Sequence, residues 1–173
     1  MAFCFSGAFF LQDFSFSRSE EGNALVIAVV DGHGGGIGSY IIKRLREDVE
    51  LQSLEIIALG TNSLATSVMM KARANRGASG ENAIKYVADR VDIIIGAVTV
   101  VMSNSMMGEL TPVMAEAIAN SRALKLLLPL PMEDVSIIGY QTEPLPHLTD
   151  KLIQTIKEMR EGVKHHVRSK CLR

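Results

Sequence analysis

The stretch Ala24-Leu-Val-Ile-Ala-Val-Val30, followed by Asp31 and then Gly32-His-Gly-Gly-Gly-Ile-Gly38, decides the fold. An unbroken apolar run rich in β-branched residues is the pattern of a strand buried on both faces, as in a parallel sheet. Asp31 and the glycines mark a tight turn. Beyond it, Ile41, Ile42, Leu45 and Val49 lie on one face of an expected helix, with Lys43, Arg44, Arg46 and Glu47 on the other. A glycine-rich corner between strand and helix suits an anion, because bare amides and the helix N-terminus both point at it.

The same alternation continues downstream. Leu54-Glu-Ile-Ile-Ala-Leu59 reads as a second strand, stopped by Gly60-Thr-Asn62, with a helix over 63–72. Ser79 is an expected N-cap for a helix from about Glu81 to Arg90, and Asp92-Ile-Ile-Ile-Gly96 is the third clear strand. Thr111-Pro112 starts another helix, with the hydroxyl at the cap and proline in the first turn. Leu124-Lys-Leu-Leu-Leu128 and Val135-Ser-Ile-Ile138 read as two more strands, the second closing one edge as an antiparallel hairpin. Leu145, Leu148, Leu152, Ile156, Met159 and Val163 describe a terminal amphipathic helix. The expectation is a three-layer, Rossmann-like, doubly wound α/β fold with a mostly parallel sheet of about five strands.

Composition bounds the rest. The chain of 173 residues suits one domain, expected over 24–163, and its net charge of −1 argues for neither nucleic acid nor an anionic membrane as partner. No apolar run is long enough to span a bilayer. Two cysteines, Cys4 and Cys171, fall short of a disulfide framework, so a reducing cytoplasm is expected and no metal site is assigned. All six phenylalanines lie between Phe3 and Phe16. That break in composition sets residues 1–23 apart as an extension, either an over-extended start with true initiation near Leu25 or Val26, or a real but floppy segment. The stretch 164–173, with His165 and His166, is basic and aperiodic, as a solvated tail would be. Met69, Met70, Met102, Met106, Met107 and Met114 suit core or a subunit interface, which leaves a homo-oligomer open.

Ligands of doubly wound sheets bind beyond the carboxyl ends of the strands. The candidate binding residues are therefore Asp31, Gly32, Gly34, Gly35, Gly36, Ile37 and Gly38, joined by Thr61, Asn62, Ser63, Asn82 and Asn104 from three polar segments expected to converge there. Those segments are Thr61–Thr66, Asn75–Asn82, whose Arg76 could pair with a phosphate, and Ser103–Glu109. The loop does not follow G-x-G-x-x-G. Its spacing, Gly32-x-x-x-Gly36-Ile37-Gly38, resembles the cofactor loop of short-chain dehydrogenases and reductases, but their Y-x-x-x-K pair is missing. The second strand ends in neutral Gly60-Thr61-Asn62-Ser63, where NAD-preferring folds carry an acid. Asp31 beside the loop could accept loop amides, carry Mg²⁺ or contact a sugar hydroxyl. His33 reads as an exposed loop side chain.

Taken together, Ile27-Ala-Val-Val-Asp-Gly-His-Gly-Gly-Gly-Ile-Gly38, Ile56-Ile-Ala-Leu-Gly-Thr-Asn-Ser63, Asn75-Arg-Gly-Ala-Ser-Gly-Glu-Asn-Ala83 and Asn104-Ser-Met-Met-Gly-Glu109 resemble a bacterial family catalogued as domain of unknown function 3842. The resemblance spans about residues 25–140, implies a beginning at the first strand and supplies no activity; the family is expected to carry glutamine where His33 stands. Three readings stay open. One is a binding or sensing module that holds a nucleotide or an NAD(P)-like dinucleotide by its phosphate. Another is an enzyme on a phosphorylated or nucleotide substrate, with Mg²⁺ at Asp31 and Glu81 or Glu109 as acid or base. The third is a structural subunit with a vestigial loop.

Overall fold

The computed structural model describes residues 25–132 and 135–170, with side chains described through 161. Expectations for residues 1–23 and for the tail side chains lie outside the described residues. Five parallel strands, β1 (Val26–Asp31), β2 (Glu55–Gly60), β3 (Arg76–Ser79), β4 (Ile93–Ala97) and β5 (Leu124–Leu128), form one sheet in the order β3-β2-β1-β4-β5. They alternate with helices α1 (Gly36–Glu47), α2 (Ser63–Lys71), α3 (Glu81–Ala88) and α4 (Pro112–Asn120), and a long α5 (Leu145–Lys170) follows.

The alternation of side chains along β1 explains the three layers. Ile27 and Val29 face a core filled by Ile41, Ile42 and Leu45 of α1, Met69 of α2 and Leu148, Leu152, Ile153 and Ile156 of α5. Ala28 and Val30 face a second core with Ile84 and Ala88 of α3 and Met114, Ala115 and Ile118 of α4. Both faces of the central strands are covered, which is why they read as unbroken apolar runs.

Several expectations require correction. The segment Val135–Ile138 forms no strand, so among the described residues no antiparallel hairpin closes the sheet and β5 is an edge. The edge beyond β2 is instead occupied by β3, which lies inside the segment read as a polar loop. Ser79 ends β3 opposite Gly60, and the N-cap of α3 is Gly80, with φ of 88° and no capping side chain. Helix α1 stops at Glu47, because Asp48 turns extended, and Val49 is left 81% exposed. The α5 backbone stays helical beyond Val163, through Lys170. No helix among the described residues is long and apolar enough to cross a membrane.

The chain leaves β1 toward β2 on one side and returns to β4 on the other. The carboxyl end of β1 is therefore the point where the strand order reverses, the place where doubly wound sheets hold their ligands.

Candidate ligand-binding site

The glycine loop sits at that reversal, and its glycines divide into two kinds. A side chain at Gly32 would place its Cβ 2.5 Å from Met106 Sδ, and one at Gly38 2.5 Å from Met69 Sδ. Gly35, the N-cap of α1, has φ of 70°, and a Cβ there would lie 2.6 Å from the Ala65 carbonyl oxygen. These three glycines let the chain pack against itself. Gly34 and Gly36 differ: both are exposed, and a Cβ on either would meet nothing within 4 Å. Their amides donate to no acceptor among the described residues.

Asp31 works inward. One carboxylate oxygen accepts the Gly32 amide at 2.8 Å and the other accepts Gly38 at 2.6 Å, with the Ile37 amide a further donor. Helix α1 has no acidic residue in its first turn and no side-chain cap at Gly35, so Asp31 satisfies its innermost free donors. Asp31 is 5% exposed. Burial raises its carboxylate pKa above the ordinary aspartate value, and the three amides pull it partly back. Each of the two Asp31 oxygens thus accepts at least one loop amide, and the described residues hold no cluster of three or more His, Cys, Asp or Glu that could hold a metal ion.

On the outer side the organising group is Glu109. Its Oε2 accepts hydrogen bonds from Thr61 Oγ1 at 2.6 Å, the His33 amide at 2.8 Å and Asn62 Nδ2 at 2.8 Å. These donors, the Thr61 hydroxyl foremost, hold its pKa below the ordinary glutamate range. The loop that delivers Glu109 is unusual in backbone: Asn104, Met106, Met107 and Gly108 all have φ between 56° and 85°. It crosses the end of β1 with Met106 against Gly32, while Met107 stands 94% exposed.

The other candidates fall into place around these groups. Asn62 caps α2 by accepting the Ala65 amide at 2.8 Å, and its Nδ2 also reaches the His33 carbonyl at 3.0 Å. Ile37 packs against the core under α1. Ser63 and Asn82 are exposed in the first turns of α2 and α3, and Asn104 lends its backbone N–H to the Leu110 carbonyl. Thus Thr61 and Asn62 meet the glycine loop both through Glu109 and directly, at the Asp31 and His33 carbonyls, whereas Ser63, Asn82 and the Asn104 side chain make no hydrogen bond to it among the described residues.

Arg76 does not join the rim. It begins β3, at the far end of the sheet from the glycine loop, and pairs with Glu55. The end of its segment lies at the ligand edge, Ser79 opposite Gly60, Gly80 bonding the Gly60 carbonyl and Glu81 accepting from Thr111. The convergence of Glu109 on two other loops is not readable from local pattern. A carboxylate at the end of a segment crowded with glycine, asparagine and serine was the sole signal. At the same edge, after β5, a cavity of about 420 Å³ is lined by Pro129, Leu130, Met132, Ile137, Tyr140 and Thr142.

Comparison with solved structures finds a universal stress protein in complex with cAMP, at 18% identity and a TM-score of 0.37. A universal stress protein from Archaeoglobus fulgidus matches at 13% identity and a TM-score of 0.36. Each alignment covers 61% of this chain and 98% of the other. No curated protein matches the sequence. A family model does match, over residues 26–161, a span from the start of β1 into α5 that contains the glycine loop, Thr61–Ser63 and Glu109. The chain belongs to the family described as Domain of unknown function (DUF3842).

Proposed function

We propose that this protein is a binding or sensing module for a small phosphate-bearing ligand, a nucleotide or an NAD(P)-like dinucleotide, seated on the outer side of the glycine loop. The observation that carries this reading is the pair Gly34 and Gly36. Both are open to solvent, both have free amides among the described residues, and both stand where α1 begins at the strand-order reversal. Glycines that no internal packing requires still cost backbone entropy, and close approach of a ligand to the main chain is a physical reason for that cost. The similarity of the loop spacing to that of short-chain dehydrogenases points the same way. Asp31 supports the reading by holding the loop in place, both of its oxygens accepting loop amides.

The test is calorimetric titration of the full chain with NAD⁺, NADP⁺, AMP and ADP, with and without Mg²⁺, in wild type and Gly36→Glu. The added side chain enters open space and suits the first turn of a helix, so the variant should fold as wild type does. It should weaken binding by about a hundredfold, through repulsion and loss of close approach. Equal affinity in the two proteins, or folded wild type that binds none of the four, removes the reading.

A further inference from the structure

We propose that Thr61 Oγ1, Asn62 Nδ2 and the His33 amide form a seat for the ligand's phosphate, which the protein's own Glu109 carboxylate occupies until the ligand displaces it. The inference deepens the reading above and rests on it.

Three donors from two different loops converge on a single oxygen, Glu109 Oε2, at 2.6 to 2.8 Å. Such convergence is how proteins hold an oxyanion, because each N–H or O–H is aimed at one point of negative charge. The acceptor in this case arrives from far along the chain, on the loop after β4. The seat adjoins the proposed binding surface: His33 supplies one donor, and Gly34, with its free amide, is the next residue. A phosphate monoester brings three terminal oxygens, so it can satisfy the seat and still present oxygen to Gly34 and Gly36.

The carrier of Glu109 is suited to leaving. Asn104, Met106 and Met107 adopt left-handed backbone that residues with a Cβ rarely take, and the seat's three hydrogen bonds oppose that strain together with the loop's own, such as the Asn104 amide to the Leu110 carbonyl. The same loop lies across the end of β1, with Met106 over Gly32, so a ligand extending from β1 toward β4 needs it moved. Displacing one oxyanion by another keeps every donor satisfied, whereas moving the loop without a ligand takes the acceptor from the Thr61 hydroxyl and the His33 amide and leaves Asn62 Nδ2 only the His33 carbonyl.

The experiment uses the full chain and inorganic phosphate, with acetate as the second arm. Glu109→Ala should bind phosphate about tenfold more tightly than wild type, because the internal competitor is gone. Glu109→Gln, which keeps a neutral acceptor and the size of the side chain, should fall between. Thr61→Val added to Glu109→Ala should return the affinity toward or below wild type. In wild type, saturating phosphate should speed amide hydrogen exchange across 104–110 as the loop lets go.

Phosphate binding no tighter in either Glu109 variant than in wild type, or exchange unchanged by phosphate, overturns the displacement. Binding of acetate in preference to phosphate overturns the phosphate assignment. The two proposals fail separately. If nucleotides bind in a Gly36-dependent way while the Glu109 variants gain nothing, only the seat is lost. If Glu109→Ala captures phosphate while Gly36→Glu changes nothing, only the glycine-surface reading is lost.

Discussion

Glu109 Oε2 lies 2.6 Å from Thr61 Oγ1, joining loops that are 48 positions apart in the chain and on opposite sides of β1. This contact places an acidic group at the end of β2, a position that the local sequence leaves neutral. It also makes the stability of the glycine corner depend on a residue from the β4–α4 connection.

That dependence has a defined pH signature. The folded-state pKa of Glu109 is held below its ordinary value of 4.5, chiefly by the Thr61 hydroxyl. Its ionised form therefore contributes stability that is fully present above that value and drains away as pH falls through the lower folded value. In urea denaturation across the acid range, the stability difference between wild type and Glu109→Gln should shrink steadily below pH 4.5. A difference that grows with acid would contradict the contact. Asp31 has the opposite sign: its raised pKa means that the folded state takes up the proton more readily than the unfolded chain.

Asp31 itself is tested by Asp31→Asn. The amide has the right size, but its NH₂ must face either the Gly32 or the Gly38 amide, leaving a buried donor unsatisfied. A loss of roughly 1–3 kcal/mol in unfolding free energy is expected. An unchanged midpoint in chemical denaturation would show that the carboxylate does not hold the start of α1.

The two kinds of glycine should separate cleanly. Gly35→Ala forces a side chain into left-handed backbone and against the Ala65 carbonyl, and should cost at least about 2 kcal/mol. Gly36→Ala meets no atom and sits in the first turn of α1, so it should be neutral or gain up to about 0.5 kcal/mol. Thermal melts of the two variants suffice; equal destabilisation would refute the division.

Arg46 fastens the end of α1 to the segments that lead into β2 and β3. Its guanidinium donates to the carbonyls of Arg73, Gln52 and Leu54, each at 2.9 Å, and to Asn75 Oδ1, which in turn accepts the Ile56 amide. A lysine carries one ammonium and cannot reach this fan of acceptors. Arg46→Lys should lower stability by about 1–3 kcal/mol, read from urea midpoints.

The strands that proved legible were those whose environment is written locally. β1, β2 and β4 are buried on both faces and declare it as apolar runs. β3 was not legible, because Arg76-Gly-Ala-Ser79 has no β-branched apolar residue. It exists because β2 presents a free edge and because Gly77 admits the Met70 and Thr66 side chains at distances no Cβ would allow. Val135–Ile138 misled for the converse reason: a β-branched run becomes a strand only if it pairs, and here Val135 and Ile137 line a cavity instead.

By itself the sequence determined the parallel α/β sheet and the place of its glycine corner, since apolar periodicity and glycine runs are local properties of the chain. Tertiary structure decided which amides of that corner remain free. Ala65, Met69 and Met106 close in on Gly35, Gly38 and Gly32, and Glu109 reaches in from a distant loop. Hydrogen bonding and close packing act through space, so nothing in the spacing of the glycines could say which of them would stay open.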